Sequence, residues 1–428
     1  MATGPAPRAD ARPVRRRRVF YIPGYDPFHP RRYRELYRKE GAAQAALSGY
    51  ELEIKPKTTP GPYGWHVQAQ IGDQEIDSAV EVLVWSDIVK NSMGHSILAT
   101  YGAMLRTAWA YIGSGALFRL MRLRKGPVIA ALYPVLMLLA QLGLALAIGH
   151  FAGQGLAALA SYAPLGPEST RSAARDMLAN GIYWVSLLGI AWWLLDLFRR
   201  FDNKFFVYYL MHDYSYSARR RGANPPELEA RLAEFSDVVA AGLRSDVDEV
   251  LVVGHSSGAH LGVSLLADLV RAGRVPANGP ALGFLSLGQV VPMVSFLPEA
   301  RRLRRDLHDL CQSEALAWID VTAPGDGCAF ALCDPVLVSG VAPETGKRWP
   351  LVFSAAFTQS LSPARWKELR WRFFRLHFQY ICAFDAPKDY DYFQITAGPQ
   401  TLGTRYANRP ASKSRIERAV SGYREMAP

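Results

Sequence analysis

The sequence predicts an α/β fold: a mostly parallel sheet with helices on both faces, interrupted by a two-helix transmembrane hairpin. Three observations carry this expectation. β-type runs alternate with amphipathic helical stretches beyond residue 205. Two long stretches, residues 127–149 and 177–195, contain no charged side chain. And 428 residues, half of them hydrophobic and a fifth charged, suffice for a large buried core.

Residues 1–17 read as a basic tail, ending in the run from Arg15 to Arg18. No apolar stretch of signal-peptide length follows it, so export at the N-terminus is not expected. Residues 18–95 read as the first part of the sheet domain. RVFYI (18–22) is a strand stopped by Pro23-Gly24, and 30–46 has helix-forming composition. Residues 50–55 and 65–71 form two strands joined by the turn-rich TTPGPYG, and AVEVLVW (79–85) is a buried strand.

Residues 96–204 read as the membrane insertion. The 23 residues of the first stretch would span about 34 Å as a helix, enough for a hydrocarbon layer of about 30 Å. The second span, about 177–196, carries Trp184, Trp192 and Trp193, which suit interfacial or lipid-facing positions. Arg119, Arg122, Arg124 and Lys125 precede the first span; Arg199, Arg200 and Lys204 follow the second. In the connection, Arg171 and Arg175 are balanced by Glu168 and Asp176. The positive-inside rule then keeps both outer ends cytoplasmic, so the expected location is the cytoplasmic membrane with the soluble domain facing the cytoplasm. Residues 97–118 are apolar but contain Arg106, whose insertion costs about 3 kcal/mol. This segment is expected to lie along the interface, since an odd number of spans would separate two halves of one sheet.

Residues 205–410 read as the second part of the domain, and 411–428 as a C-terminal tail. Helices are expected at 226–243 and 259–272, and strands at 249–253, 281–287, 316–321 and 351–355. Cys311, Cys328, Cys333 and Cys382 form no CxxC pair and have no nearby histidine pair, so they read as reduced thiols, with no metal and no cofactor expected. The net charge of +11 is concentrated in arginine clusters at 15–18, 219–221 and 301–305. These match no nucleic-acid-binding pattern; attraction to anionic lipid headgroups explains them more simply.

Chemistry enters at EVLVVGHSSGAHLG (249–262), where Gly254-His255-Ser256-Ser257-Gly258 joins an apolar strand to a helix. A sharp strand-to-helix bend needs flanking positions nearly free of side chains, which Gly254 and Gly258 supply. The bend lifts the Ser256 hydroxyl above the sheet edge and sets the Ser257 N–H at the start of the helix, where it can stabilise an oxyanion. On these residues the chain resembles the α/β-hydrolase superfamily over roughly 15–90 and 205–400. The inserted hairpin departs from the usual pattern of that superfamily.

The resemblance implies a serine nucleophile followed in chain order by an acid and a histidine. His260 is too close to the bend along the chain and His308 sits among charges on a helix, so His377 in WRFFRLHFQY is the expected base. Asp326, after the strand-and-turn WIDVTAPGD, is the expected acid; Asp320, Asp334 and Asp385 are its competitors. A second oxyanion donor is expected in the loop after the first strand, at the N–H of Tyr25. The implied activity is a membrane-anchored serine hydrolase cleaving a lipophilic ester or thioester through an acyl-enzyme. The alternatives are an acyltransferase with the same three residues and a non-catalytic membrane protein that uses the domain for binding.

Overall fold

The computed structural model describes residues 13–94, 96–162 and 168–427, the side chains of 168–172 excepted. The first twelve residues of the expected tail and part of the expected inter-span connection lie outside the described residues. The chain divides into two units.

Unit 1, residues 1–92, 109–130 and 217–428, is built on an eight-stranded mixed sheet of order β2-β3-β4-β1-β5-β6-β7-β8. The strands are β1 Arg16–Ile22, β2 Glu51–Pro56, β3 Gly64–Ile71, β4 Gln74–Val82, β5 Glu249–His255, β6 Ala281–Leu287, β7 Ala317–Thr322 and β8 Leu351–Ser354. The pairings β4–β1, β1–β5, β5–β6, β6–β7 and β7–β8 are parallel, and only β2–β3 and β3–β4 are antiparallel.

Strand alternation explains why both faces are covered. Val19, Tyr21, Leu251, Val253, Leu285 and Leu287 point into one cluster with Tyr37 of helix Arg31–Ser48 and Phe393 of helix Tyr392–Ala397. The intervening Phe20 and Phe284 point the other way. They lie against Gly242 of helix Pro226–Leu243 and Gly262 of helix Ser257–Arg271, where an added methyl would come within 2.9 and 2.6 Å of the rings. The two glycines let these helices approach the sheet at close range.

Three boundaries differ from the sequence expectation. The basic tail does not run to residue 17: β1 begins at Arg16, and the Val14 N–H already donates to the Pro399 carbonyl. Residues 411–428 are not a detached tail, because Ile416 bridges Cys333 and Val420 donates to the Val338 carbonyl. Residues 109–130 belong to the sheet unit, whereas 205–216 belong to the other. Each depends on contacts between segments far apart in the chain.

The arginine clusters also differ. Arg17 is buried and paired with Glu249 at 2.5 Å, and it donates to the Gly398 and Gln400 carbonyls. Arg18 pairs with Glu81. Arg304, fully buried, donates to the carbonyls of Ser295, Leu297, Pro298 and Glu425. These side chains fasten the unit internally.

Unit 2, residues 93–108 and 131–216, contains most of two long helices, Lys125–Ser161 and Glu168–Arg200. Both are long and apolar enough to cross a membrane, and only 28% and 17% of their most apolar windows are buried. A pair of core helices would be mostly covered; these expose Leu136, Leu139, Val185 and Leu188. They meet through small residues, since methyls at Gly149 and Gly153 would come within 2.6 and 2.9 Å of the Leu187 and Tyr183 carbonyl oxygens. The segment expected along the interface is two helices, Ile97–Gly113 and Ala116–Leu123, separated at Gly115, whose φ is 71°.

Candidate active site

Parallel pairing in register gathers the carboxyl ends of the strands at one edge. Ile22 of β1 stands opposite Gly254 of β5, His255 opposite Leu287 of β6, and Leu287 opposite Val321 of β7. The segments that follow β1, β5 and β7 therefore emerge together, carrying Gly24-Tyr25, Ser256-Ser257 and Asp326.

Ser256 sits between β5 and helix Ser257–Arg271 with φ 57° and ψ −120°. A positive φ is costly for a side-chain-bearing residue, and such strain persists only where the surroundings enforce it. Here they do. The Ser256 N–H donates to the Leu287 carbonyl at 2.9 Å. A methyl at Gly258 would stand 2.1 Å from the Ile22 carbonyl oxygen, and one at Gly254 2.5 Å from the Gly258 carbonyl oxygen. The bend is clamped between two strands with no room for side chains on either flank. Ser256 and Ser257 are both half-buried, so the hydroxyl is reachable from solvent. Among the described residues Ser256 Oγ makes no hydrogen bond.

His377 ends the short helix Phe373–His377. Its Nδ1 lies 2.7 Å from Asp326 Oδ2, so the Nδ1 proton is spent on the carboxylate and Nε2 is the nitrogen left for chemistry. Two contacts locate the ring beside the bend. A methyl at Gly288, the residue after the Ser256 acceptor Leu287, would come within 3.1 Å of His377 Cε1. The His255 ring packs on the His377 ring with centroids 4.8 Å apart, and His255 Nε2 donates to the His377 carbonyl at 2.9 Å. Burial, and then the neighbouring His377, push the His255 pKa down to about 3, so this imidazole stays neutral and acts as a rigid prop.

Asp326 is buried in the turn after β7. Burial opposes its ionisation, but His377, the Cys328 N–H at 2.9 Å and the Tyr380 hydroxyl at 3.0 Å outweigh that and hold its pKa below the ordinary value. Tyr380 is itself fixed by the Ala323 N–H at 2.9 Å. Asp326, Cys328 and His377 each bring one potential metal-ligand atom within 4.8 Å of the others. The carboxylate and imidazole already satisfy each other, so the arrangement needs no ion to explain it.

The other expected site residue, Tyr25, follows Gly24, where a methyl would lie 3.1 Å from Ser256 Cβ and 3.6 Å from Oγ. The loop is held by Asp26, which accepts from the Phe28 N–H at 2.9 Å and from the Tyr33 hydroxyl. Its Gly24–Tyr25 backbone thus runs directly alongside the serine.

The competing acids are occupied elsewhere. Asp334 caps helix Pro335–Ser339 and pairs with Lys347 at 2.8 Å. Asp385 accepts from Ser362. Asp320 lies inside β7, fully buried, accepting from Ser286 Oγ at 2.5 Å, and among the described residues its Oδ2 has no partner. Of the other histidines, His260 is buried on the helix after the bend, and His308 Nδ1 meets the Val341 carbonyl at 2.8 Å. Sequence reasoning did not find His255 or Tyr380. His255 occupies a position that the bend motif leaves open and Tyr380 lies in no motif, and each acts only through a contact made by the fold.

Asp320 has a consequence for stability. Burial pushes its carboxyl from an ordinary 3.8 up to about 8, against the opposing Ser286 hydrogen bond. The folded state therefore holds this proton more tightly than the unfolded chain. That stabilisation is whole below about pH 4 and is lost as pH rises towards 8, by at most about 1.4 kcal/mol per pH unit. Asp320→Asn, neutral throughout, should melt close to the parent near pH 4 and several degrees above it near pH 8; thermal melts across pH check this.

A cleft of about 610 Å³ lined by Glu249, Ala281, Ala317 and Trp349 lies at the opposite, amino-terminal end of the strands and takes no part in this arrangement. Comparison with family models, curated proteins and solved structures gives no match to the chain.

Proposed function

We propose that this chain is a membrane-anchored serine hydrolase of the α/β-hydrolase type, cleaving a lipophilic carboxylic ester or thioester, with its sheet-bearing unit on the cytoplasmic side. One observation carries the reading: a strained, solvent-reachable serine at the end of a central parallel strand, beside a histidine whose far nitrogen is held by a buried carboxylate. Ser256 Oγ attacks the substrate carbonyl while His377 Nε2 takes its proton. The N–H groups of Ser257 and Tyr25 carry the negative charge that develops on the carbonyl oxygen. His377 then returns the proton to the departing alcohol or thiol, leaving Ser256 acylated. Water, deprotonated by the same imidazole, releases the carboxylic acid and restores the hydroxyl. Asp326 fixes the imidazole tautomer and stabilises the imidazolium that forms at each step.

The exposed apolar helices support a bilayer anchor and a substrate that dissolves in it. The test is a panel of lipid esters and thioesters offered to the intact protein and to Ser256→Ala, with products analysed in the presence of competing alcohols. Free acid released only by the intact protein supports hydrolysis. Transfer to the alcohol in preference to water would make the chain an acyltransferase, and no turnover with any member would remove the enzyme reading. Tyr380→Phe removes one donor to Asp326 and leaves the Ala323 N–H without its partner. A hydrogen bond to a charged group is worth about 1.5–3 kcal/mol, so kcat/KM should fall roughly ten- to a hundred-fold.

A further inference from the structure

Residues 363–377, PARWKELRWRFFRLH, lead into His377 and differ from the clusters that contain the buried Arg17 and Arg304. The segment carries Arg365, Lys367, Arg370, Arg372 and Arg375 against one carboxylate of its own, Glu368, with which Arg365, Arg372 and Arg375 pair at 2.7–3.5 Å. Excess positive charge therefore remains on the surface, where Arg17 and Arg304 are consumed inside. Between these cations stand large exposed rings: Trp371 is 72% and Phe373 48% exposed. Exposed aromatics alternating with arginines have no role in a core. They are what a membrane-water interface selects, with the ring at headgroup depth and the cation on phosphate.

The position of the segment specifies which surface it meets. Trp366 and Phe373 lie against Gly325 and Gly327, where added methyls would come within 2.7 and 3.3 Å of the rings; Asp326 is between them. Gly126, in the first turn of the long apolar helix Lys125–Ser161, also lies against Gly327: a methyl added to it would come within 3.6 Å of the Gly327 Cα. Arg124 just before it donates to the Ala331 carbonyl at 2.8 Å. The loop bearing Asp326 is thus flanked by the start of the first apolar helix and by the basic aromatic segment.

We infer that residues 363–375 form a docking lip for the anionic headgroup layer of the bilayer that the apolar helices enter, setting the mouth of the Ser256 site against the lipid surface. The inference rests on the membrane reading given above. It specifies the substrate's route: the ester is taken from the leaflet, laterally, and the soluble phase is bypassed. An acidic polymer or an acidic protein could meet the same charges, but neither would explain why the lip adjoins the start of an apolar helix.

The test uses full-length protein labelled with 5-fluorotryptophan in lipid nanodiscs, with spin-labelled lipid carrying the radical near the headgroup. Trp371 is assigned by the signal lost in Trp371→Phe. The expected result is strong broadening of Trp371 in discs containing phosphatidylglycerol, several-fold weaker in phosphatidylcholine alone, and none at Trp349, which lies at the far end of the sheet. Broadening of Trp192 and Trp193, on the second apolar helix, reports the anchor separately. If those two broaden while Trp371 does not, the anchor stands and the lip is overturned, leaving the surface to a protein or nucleic-acid partner. If none of the three broadens, the membrane reading and the lip fall together. Equal broadening of Trp371 in both lipids would overturn the anionic component.

Discussion

Ser256→Gly should abolish turnover and stabilise the protein in the same step. The two effects have one origin. Position 256 is held at φ 57°, which glycine adopts freely and other residues adopt at a cost of about 1–3 kcal/mol. Glycine relieves that strain, offset in part by the greater entropy of the unfolded chain, so a net gain of about 1 kcal/mol and a rise of a few degrees in melting temperature are expected. Loss of the nucleophile should lower turnover by roughly 10⁴-fold or more, leaving only what the oxyanion donors and substrate binding provide. Ser256→Ala should lose activity equally without the gain in stability. Melting curves of the three proteins, with rates on one ester, separate a strained functional serine from an ordinary turn residue; a Ser256→Gly protein less stable than Ser256→Ala would contradict the strain argument.

The second large effect is expected at Gly258. A methyl there would lie 2.1 Å from the Ile22 carbonyl oxygen and 2.8 Å from the Pro23 carbonyl oxygen. Both are backbone atoms of the strand and loop that carry Gly24 and Tyr25, so the clash cannot be relieved by rotating a side chain. Gly258→Ala must push the bend away from β1, at a cost of about 3 kcal/mol or more, and must separate Ser256 from the Tyr25 loop. Activity should fall at least a hundred-fold and the melting temperature several degrees. Gly273→Ala is the matched control: its φ is 63°, yet nothing lies within 4 Å of the added methyl. It should cost only about 1 kcal/mol and leave the rate unchanged. Rates and melts of the two variants distinguish a steric clamp from a generic glycine effect.

These effects show which parts of the site could be read from the chain. The bend was legible because strand, Gly254-His255-Ser256-Ser257-Gly258 and helix are contiguous, and a local steric requirement writes itself into local sequence. Asp326 and His377 came through the chain order that the resemblance implies, with the other acids and histidines weighed as competitors; the structure brings those two side chains into a hydrogen bond. His255 and Tyr380 were not legible. Each is an ordinary residue whose importance comes from a neighbour, His377 for one and Asp326 for the other, that only folding supplies.

The fold was legible to a similar depth. Residues 226–243 and 281–287 were placed to the residue, because apolar periodicity and turn residues bound them on both sides. The start of β1 was misplaced because Arg15 to Arg18 look solvated in isolation. Nothing near them announces that Glu249, 232 residues on, is buried opposite Arg17. Nor does the local sequence announce that Arg304, within the cluster at 301–305, is wrapped in carbonyl oxygens. The division into units was missed because it depends on which helices pack together. Helix Val207–Ala218, for example, supplies Val207, Tyr208 and Met211 to a cluster with Met104 and Leu138.

The central claim is that the Ser256 hydroxyl is a nucleophile activated by His377. The most direct measurement is reaction of the full-length, detergent-solubilised protein with a fluorophosphonate, the adduct located by peptide mass spectrometry. The account predicts a single phosphonylated residue, Ser256, with labelling slowed at least a hundred-fold in His377→Ala of unchanged fold. A well-folded protein that forms no adduct, or one modified at Ser256 at the same rate with and without His377, would contradict it.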